Sequence, residues 1–219
     1  IIEKFESNNN NDKYFKDILN IEEKKKLNTF LKGLLNHLKK RKIKYFFSFG
    51  SLIGIVRHGF RMPWDDDIDI LISNEEVTKL VEGLKIIESN NDGIRYKLNN
   101  EIHILKKTWG CPIKIYLNNS SYPFIDIFVY KFKDYDVIVP EQQLKGGHVT
   151  HFKEKYNDIF PLKKAKFENF IVNIPRNYKV ILKNVYGDNV LEECVITYNH
   201  KMTNEQKNNF NNKIINISD

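Results

Sequence analysis

The chain has 219 residues, 41% of them hydrophobic, and carries 15 Phe and 11 Tyr, enough to bury a core and to exclude an intrinsically disordered protein. Ten Gly and six Pro exclude a collagen-like or Pro-rich architecture, and two cysteines, Cys111 and Cys194, exclude a disulfide framework. The net charge of +7, from 35 basic and 28 acidic residues, favours anionic partners, but the lysines run along the whole chain and the charge reads as mainly compositional, so no obligate nucleic-acid partner is expected.

Residues 1–20 are polar and Asn-rich and read as an arm. Residues 21–42 form an amphipathic helix, with Leu27, Phe30, Leu31, Leu34, Leu35 and Leu38 on one face. Tyr45 to Phe49 reads as a buried strand running into Gly50-Ser51, followed by a short helix over Leu52–His58 that Gly59 closes. Asp67–Ile72 alternates polar and apolar, as a half-buried strand does. Ser73 or Asn74 caps a further helix whose apolar face is Val77, Leu80, Val81, Leu84 and Ile87, and Asn91-Asp92-Gly93 is a turn.

The middle of the chain reads as strands over Arg95–Leu98, Ile102–Lys106, Pro112–Leu117, Phe124–Phe132 and Tyr135–Val139. Residues 141–160, with Gly146, Gly147, His148 and His151, read as a loop. Phe167–Ile174 is a hairpin turning at Glu168-Asn169, Arg176–Tyr186 is a helix, and 201–219 is a peripheral helix or tail. No repeat or linker divides the chain, so one domain over 21–200 is expected between the arm 1–20 and the tail 201–219. The fold class is α/β or α+β, a mixed sheet with packed helices.

Asp67 and Asp69, two apart on a strand, project from one face. Asp65 and Asp66 precede them, and Asp126 lies within the apolar run Phe124–Tyr130. A buried carboxylate needs a partner, because an unpaired charge there costs several kcal/mol. The simplest partner is a hard cation, Mg²⁺ or Mn²⁺, shared with Asp67 and Asp69; the bland alternative is a solvated acidic turn, with Asp126 paired to a lysine. Gly50-Ser51, between strand and helix, offers backbone N–H groups and a hydroxyl to a phosphate. Together these parts follow the logic of nucleotidyltransferase-type phosphoryl transfer, with the third Asp completing the metal site or taking the acceptor's proton.

The run Phe47 to His58, followed by Gly59-Phe60 and by Pro63-Trp64-Asp65-Asp66-Asp67-Ile68-Asp69-Ile70, resembles the signature of the LicD/fukutin family. Ile125-Asp126-Ile127-Phe128 is similar to that family's second acidic motif. Phe160-Pro161-Leu162, Phe167 through Pro175, and Tyr186-Gly187 are similar to its C-terminal pattern. The chain departs from the family pattern at Phe49, Arg61 and Val129. The resemblance implies a nucleotidyltransferase-like fold and transfer of a phospho-alcohol or phospho-sugar unit from a CDP-type nucleotide-diphosphate donor to a glycan hydroxyl. It assigns Asp67 and Asp69 to a metal-binding pair and Asp126 to the third carboxylate.

Around that core, Gly50, Ser51, Arg57 and His58 are expected to bind donor phosphates, with Asp65, Asp66 and Trp64 in support. For Arg57 the bland reading is an ion pair with Asp65 or Asp66, for His58 a helix cap, and for Trp64 a packed aromatic. His148 and His151 read as exposed loop histidines, and His103 and Cys111 as structural. Two rival functions stand beside the transferase: a glycosyltransferase whose Asp-x-Asp holds a nucleotide sugar, and a non-catalytic binder of anionic glycans or nucleic acid. No run of about 18 apolar residues spans a bilayer and the first residues lack a signal-peptide shape, so a cytoplasmic location is expected. The secretory lumen is the alternative if an upstream anchor was removed, in which case the sequons at Asn118, Asn119 and Asn216 matter.

Overall fold

The computed structural model describes residues 17–91, 93–99, 102–107, 112–117, 122–145 and 147–216. The turn residue Asp92, the segment holding Trp109 and Cys111, Asn118, Asn119, Gly146 and most of the N-terminal arm lie outside them.

The apolar stripe of the first helix becomes α1 (Ile21–Lys40). Asn20 starts it: its side chain accepts from the Glu23 N–H at 2.9 Å, and Glu23 accepts from the Asn20 N–H at 2.8 Å. Leu27, Phe30, Leu31, Leu34 and Leu38 are buried along one face, each burial contributing about 1.5–3 kcal/mol. The chain continues through β1 (Tyr45–Phe47), α2 (Phe49–His58) and β2 (Asp67–Ser73). After a 3₁₀ turn capped by Ser73 comes α3 (Val77–Val81).

The helix expected to reach Ile87 stops at Val81. Gly83 takes a left-handed φ of +73°, and a side chain there would collide with the guanidinium of Arg41, which pairs with Glu82 at 2.9 Å. The chain then extends into the exposed edge strand β3 (Lys85–Asn90). β4 (Gly93–Lys97), β5 (Ile102–Lys106), β6 (Ile113–Leu117), β7 (Phe124–Lys133) and β8 (Asp136–Val139) follow as a meander.

The stretch 141–160, expected to be a loop, holds α4 (Glu141–Leu144), β9 (Phe152–Lys155) and α5 (Tyr156–Ile159). Its strand was hidden because one of its two buried positions is charged: Glu154 is 3% exposed, beside Phe152 at 2%. The hairpin turning at Glu168-Asn169 forms as β10 (Lys163–Phe167) and β11 (Phe170–Ile174), followed by α6 (Tyr178–Tyr186). Beyond it β12 (Glu193–Ile196) pairs antiparallel with β13 (Lys213–Asn216), and α7 (Asn204–Asn208) lies between them.

Among the described residues the main sheet runs β1-β2-β7-β6-β5-β4-β3, with β8 and β9 continuing from the far end of β7. Its pairs are antiparallel except β2 with β7, which is parallel. Alternation divides the two faces. Ile68, Ile70, Ile125 and Ile127 join the core that α1 covers. Leu71, Phe128 and Tyr130 point the other way, into a second core with Phe49, Phe152 and Ile181. Val129, a departure from the family pattern, donates its N–H to Gln143 Oε1 at 2.8 Å, a bond that proline could not make.

Glu154 sits under this second core, where its Oε2 accepts from Asn184 Nδ2 at 2.8 Å. Burial pushes its carboxyl up to about 7 against the lowering effect of Asn184, and Asp158 adds to the rise. An acid whose folded pKa is raised costs stability as pH climbs from 4.5, where the unfolded chain ionises, to about 7, and the cost stays constant above that. Glu154→Gln should therefore be close to neutral at pH 4.5 and stabilising by about 1–3 kcal/mol at pH 8. Urea unfolding of both proteins at the two pH values measures this, and an equal effect at both would show that the folded carboxyl titrates where the unfolded one does.

Candidate active site

The site begins where β1 turns into α2. Ser48 caps the helix in extended conformation, and Phe49 then adopts φ +51°, a costly conformation for a bulky residue, about 1–3 kcal/mol. Its ring is held between Phe128 at 5.0 Å and Phe152 at 5.7 Å, centroid to centroid. This twist sets the first turn of α2, with its free N–H groups, beside the acidic loop. Gly50 makes the approach possible, because a Cβ there would lie 3.1 Å from Asp65 Oδ2. Gly54 does the same one turn on, since a Cβ would meet the carbonyl of Phe60 at 2.7 Å. The backbone of residues 60–62 thereby folds against the helix and returns the chain toward β2.

Asp67 and Asp69 share a face of β2, and Asp69 stands in direct register with Asp126 on the parallel strand β7. This is the face of Leu71 and Phe128, opposite α1. The carboxylates crowd. Burial, then the charge of Asp66, pushes Asp65 up to about 7, with Arg61 and a hydrogen bond from Asp67 acting the other way. Asp67 is raised well above the carboxylate range by burial and then by Asp65 and Asp126. Asp69 is raised by burial and then by Asp67, Asp65 and Asp126, with Lys114 opposing. Asp65 Oδ2 is enclosed with no hydrogen-bond partner among the described residues. An orphaned buried oxygen, hard donors and mutual repulsion fit a divalent cation.

For Asp126 the expected partner was a cation, with a lysine as the alternative. It has the lysine: Lys114, directly opposite on β6, places Nζ 2.7 Å from Asp126 Oδ1. Among the described residues, the set of three potential ligands whose atoms all lie within 4.8 Å of one another is Asp66, Asp67 and His200, which shares only Asp67 with the expected triad.

His200 was not foreseen. Its backbone N–H donates to Asp66 Oδ2 at 2.8 Å, its Nδ1 lies 2.7 Å from Asp66 Oδ1 and 3.9 Å from Asp67 Oδ2, and its ring meets the Phe124 ring edge-on at 4.7 Å. Burial pulls its pKa down, but the Asp66 hydrogen bond and the charges of Asp67 and Asp66 outweigh that and raise it. Beside it Lys201 Nζ donates to Ile18 O at 2.9 Å and Glu23 Oε2 at 2.7 Å, strapping the tail across the start of α1. Tyr186, at the end of α6, also borders the cluster: its phenol is raised well above normal by burial and then by Asp69, Asp65 and Asp67. Tyr122 is raised by burial and then by Asp66 and Glu23.

The expected phosphate ligands divide. Gly50 lies at the head of α2, beside the carboxylates. Ser51 is fully buried, and its Oγ accepts the Asp69 N–H at 2.9 Å, so it ties β2 to α2. Arg57 neither reaches the acidic loop nor pairs with Asp65 or Asp66: its guanidinium donates to the carbonyls of Val190 and Glu193 and to Cys194 Sγ at 3.4 Å. His58 stacks on Phe60 at 5.2 Å and is pulled down to about 4 by burial and then by Arg57. Trp64, 9% exposed, belongs to the main core. His103 is buried and His151 exposed, while His148 lies against Tyr198, 4.6 Å between centroids. Cys194 is a free, buried thiol. No helix among the described residues is long and apolar enough to cross a membrane.

The family model described as LicD/FKTN/FKRP, nucleotidyltransferase domain, matches residues 42–177. An uncharacterized protein of Rickettsia typhi is 33% identical over 158 residues, 71% of this chain and 44% of that protein. Ribitol 5-phosphate transferase FKRP of Homo sapiens is 25% identical over 151 residues, 68% of this chain and 29% of that protein. Lipopolysaccharide cholinephosphotransferase LicD of Haemophilus influenzae is 31% identical over 98 residues, 41% of this chain and 36% of that protein. The chain spans less than half the length of these relatives.

Proposed function

This chain belongs to the LicD/FKTN/FKRP nucleotidyltransferase family, and from that premise we propose that it transfers a phospho-alcohol or phospho-sugar unit from a CDP-type donor to a glycan hydroxyl, releasing the nucleotide monophosphate. The observation that carries the reading is Asp69 in register with Asp126 on parallel strands, with Asp67 on the same face and the first turn of α2 beside them. The relatives FKRP, a ribitol 5-phosphate transferase, and LicD, a lipopolysaccharide cholinephosphotransferase, support the reaction class.

Mg²⁺ or Mn²⁺, held by Asp67 and Asp69 with Asp126 completing the set, would supply positive charge to the donor's phosphates. The chain's own groups do the rest. The N–H groups of the first turn of α2, with Gly50 leaving the approach open, receive phosphate oxygens. Ser51 fixes the start of β2 through the Asp69 N–H, which sets where both strand carboxylates stand. His200 and Tyr122 hold Asp66. Asp126, where it does not complete that set, takes the acceptor's proton.

A donor screen tests this. CDP-ribitol, CDP-choline, CDP-glycerol and UDP-sugars are each offered with Mg²⁺ or Mn²⁺ and a glycan acceptor, and both free nucleotide and phosphorus on the acceptor are read. The expected result is CMP release with phosphorus retained on the acceptor. UDP release with sugar transferred would replace the reading by a glycosyltransferase, and no turnover with any pair would remove it.

A further inference from the structure

Three strands place Lys114, Asp126 and Asp69 in one row. Lys114 on β6 is the register partner of Asp126 on β7, and Asp126 is the register partner of Asp69 on β2. Lys114 Nζ lies 2.7 Å from Asp126 Oδ1 and sits over the Phe124 ring, 3.0 Å from its centroid. The pair is largely enclosed, with side chains 19% and 13% exposed. Two other cationic side chains of this region are committed elsewhere, Arg57 to the carbonyls of Val190 and Glu193 and Arg61 to Glu168 at 3.3 Å. Lys114 is thus the ammonium seated on the third carboxylate.

An enclosed carboxylate beside other carboxylates either takes up a proton or stays ionised against a positive partner. Lysine suits a partner that must leave, because its ammonium is a point charge on a flexible four-carbon stem. We infer that Lys114 is an exchangeable counter-ion: it neutralises Asp126 while no divalent cation is bound, yields Asp126 Oδ1 when one binds, and then pairs with a phosphate oxygen of the donor. The inference rests on the reading that Asp126 shares a cation with Asp67 and Asp69.

The test uses the whole chain and binding measurements rather than turnover. Mn²⁺ affinity is measured by titration calorimetry for wild type, Lys114→Met and Lys114→Arg. CDP affinity is then measured at saturating Mn²⁺. Removing the competing charge should tighten Mn²⁺ binding about five- to tenfold in Lys114→Met and leave Lys114→Arg near wild type. The same Lys114→Met protein should bind CDP at least about fivefold more weakly, because a phosphate contact is lost. If Lys114→Met fails to fold, Lys114→Gln, which loses the charge and keeps most of the stem, replaces it in both titrations with the same expected shifts. An unchanged or weakened Mn²⁺ affinity in Lys114→Met overturns the inference, and so does an unchanged CDP affinity. Mn²⁺ binding to none of the variants overturns it together with the shared-cation reading. Normal binding shifts without any turnover in the donor screen would overturn the proposed reaction and leave Lys114 its role.

Discussion

Asp67→Asn and Asp69→Asn should each lower turnover by about 10²-fold or more while the protein stays folded. Each change is nearly isosteric and removes one negative charge. Burial and the neighbouring carboxylates already raise both groups well above the carboxylate range, so their ionised forms cost the cation-free fold stability. The melting temperature without metal should hold or rise. The increment that Mn²⁺ adds to wild type, as any ligand of the native state does, should largely vanish. Nucleotide release and thermal melting, each with and without Mn²⁺, separate the effects. Turnover above about 10% of wild type in either variant would sink the assignment, as would a cooperative melt lost in the absence of metal.

Gly50→Val should weaken donor binding by about tenfold or more with only a small change in melting temperature. A Cβ at this position already lies 3.1 Å from Asp65 Oδ2, and the two methyl groups of valine reach further, over the first-turn N–H groups. The helical backbone of residue 50 accepts a side chain once Asp65 gives by a few tenths of an ångström, so the damage falls more on the approach of a phosphate than on the fold. Gly50→Ala should show the same effect in smaller measure. CDP affinity per folded molecule is the measurement; a valine variant that melts early and binds CDP normally would reduce Gly50 to a packing residue.

The elements that the sequence declared were those with local causes. The leucine stripe of α1, the alternating strand from Asp67 and the hairpin turning at Glu168-Asn169 each depend on residues within a few positions of one another. The pair Asp67 and Asp69 was legible for the same reason, since period two puts them on one face. Causes spread over distance were not legible. Beside Gly83, past the end of α3, stands the guanidinium of Arg41, some forty residues away, and a side chain at 83 would collide with it. Arg57 follows a phosphate-binding turn in the chain, yet its acceptors are Val190 and Glu193. A lysine partner for Asp126 was only an alternative to a metal, and which lysine was not legible, because it lies on another strand. The one available hint was Lys114 itself, a single charge between Ile113 and Ile115. His200 had no such hint: it stands in an Asn-rich stretch and gains its meaning only from Asp66.

The part of the chain that the family model matches ends at residue 177, but the bonds that hold α2 and the acidic loop extend past it. Arg57 is bonded to residues 190, 193 and 194, Asp66 to His200, and Lys201 to the head of α1. Releasing residues 190–201 would strip Arg57 of its acceptors and Asp66 of its imidazole in one step. Local unfolding of the tail would therefore cost both helix α2 and the acidic loop the bonds that orient them.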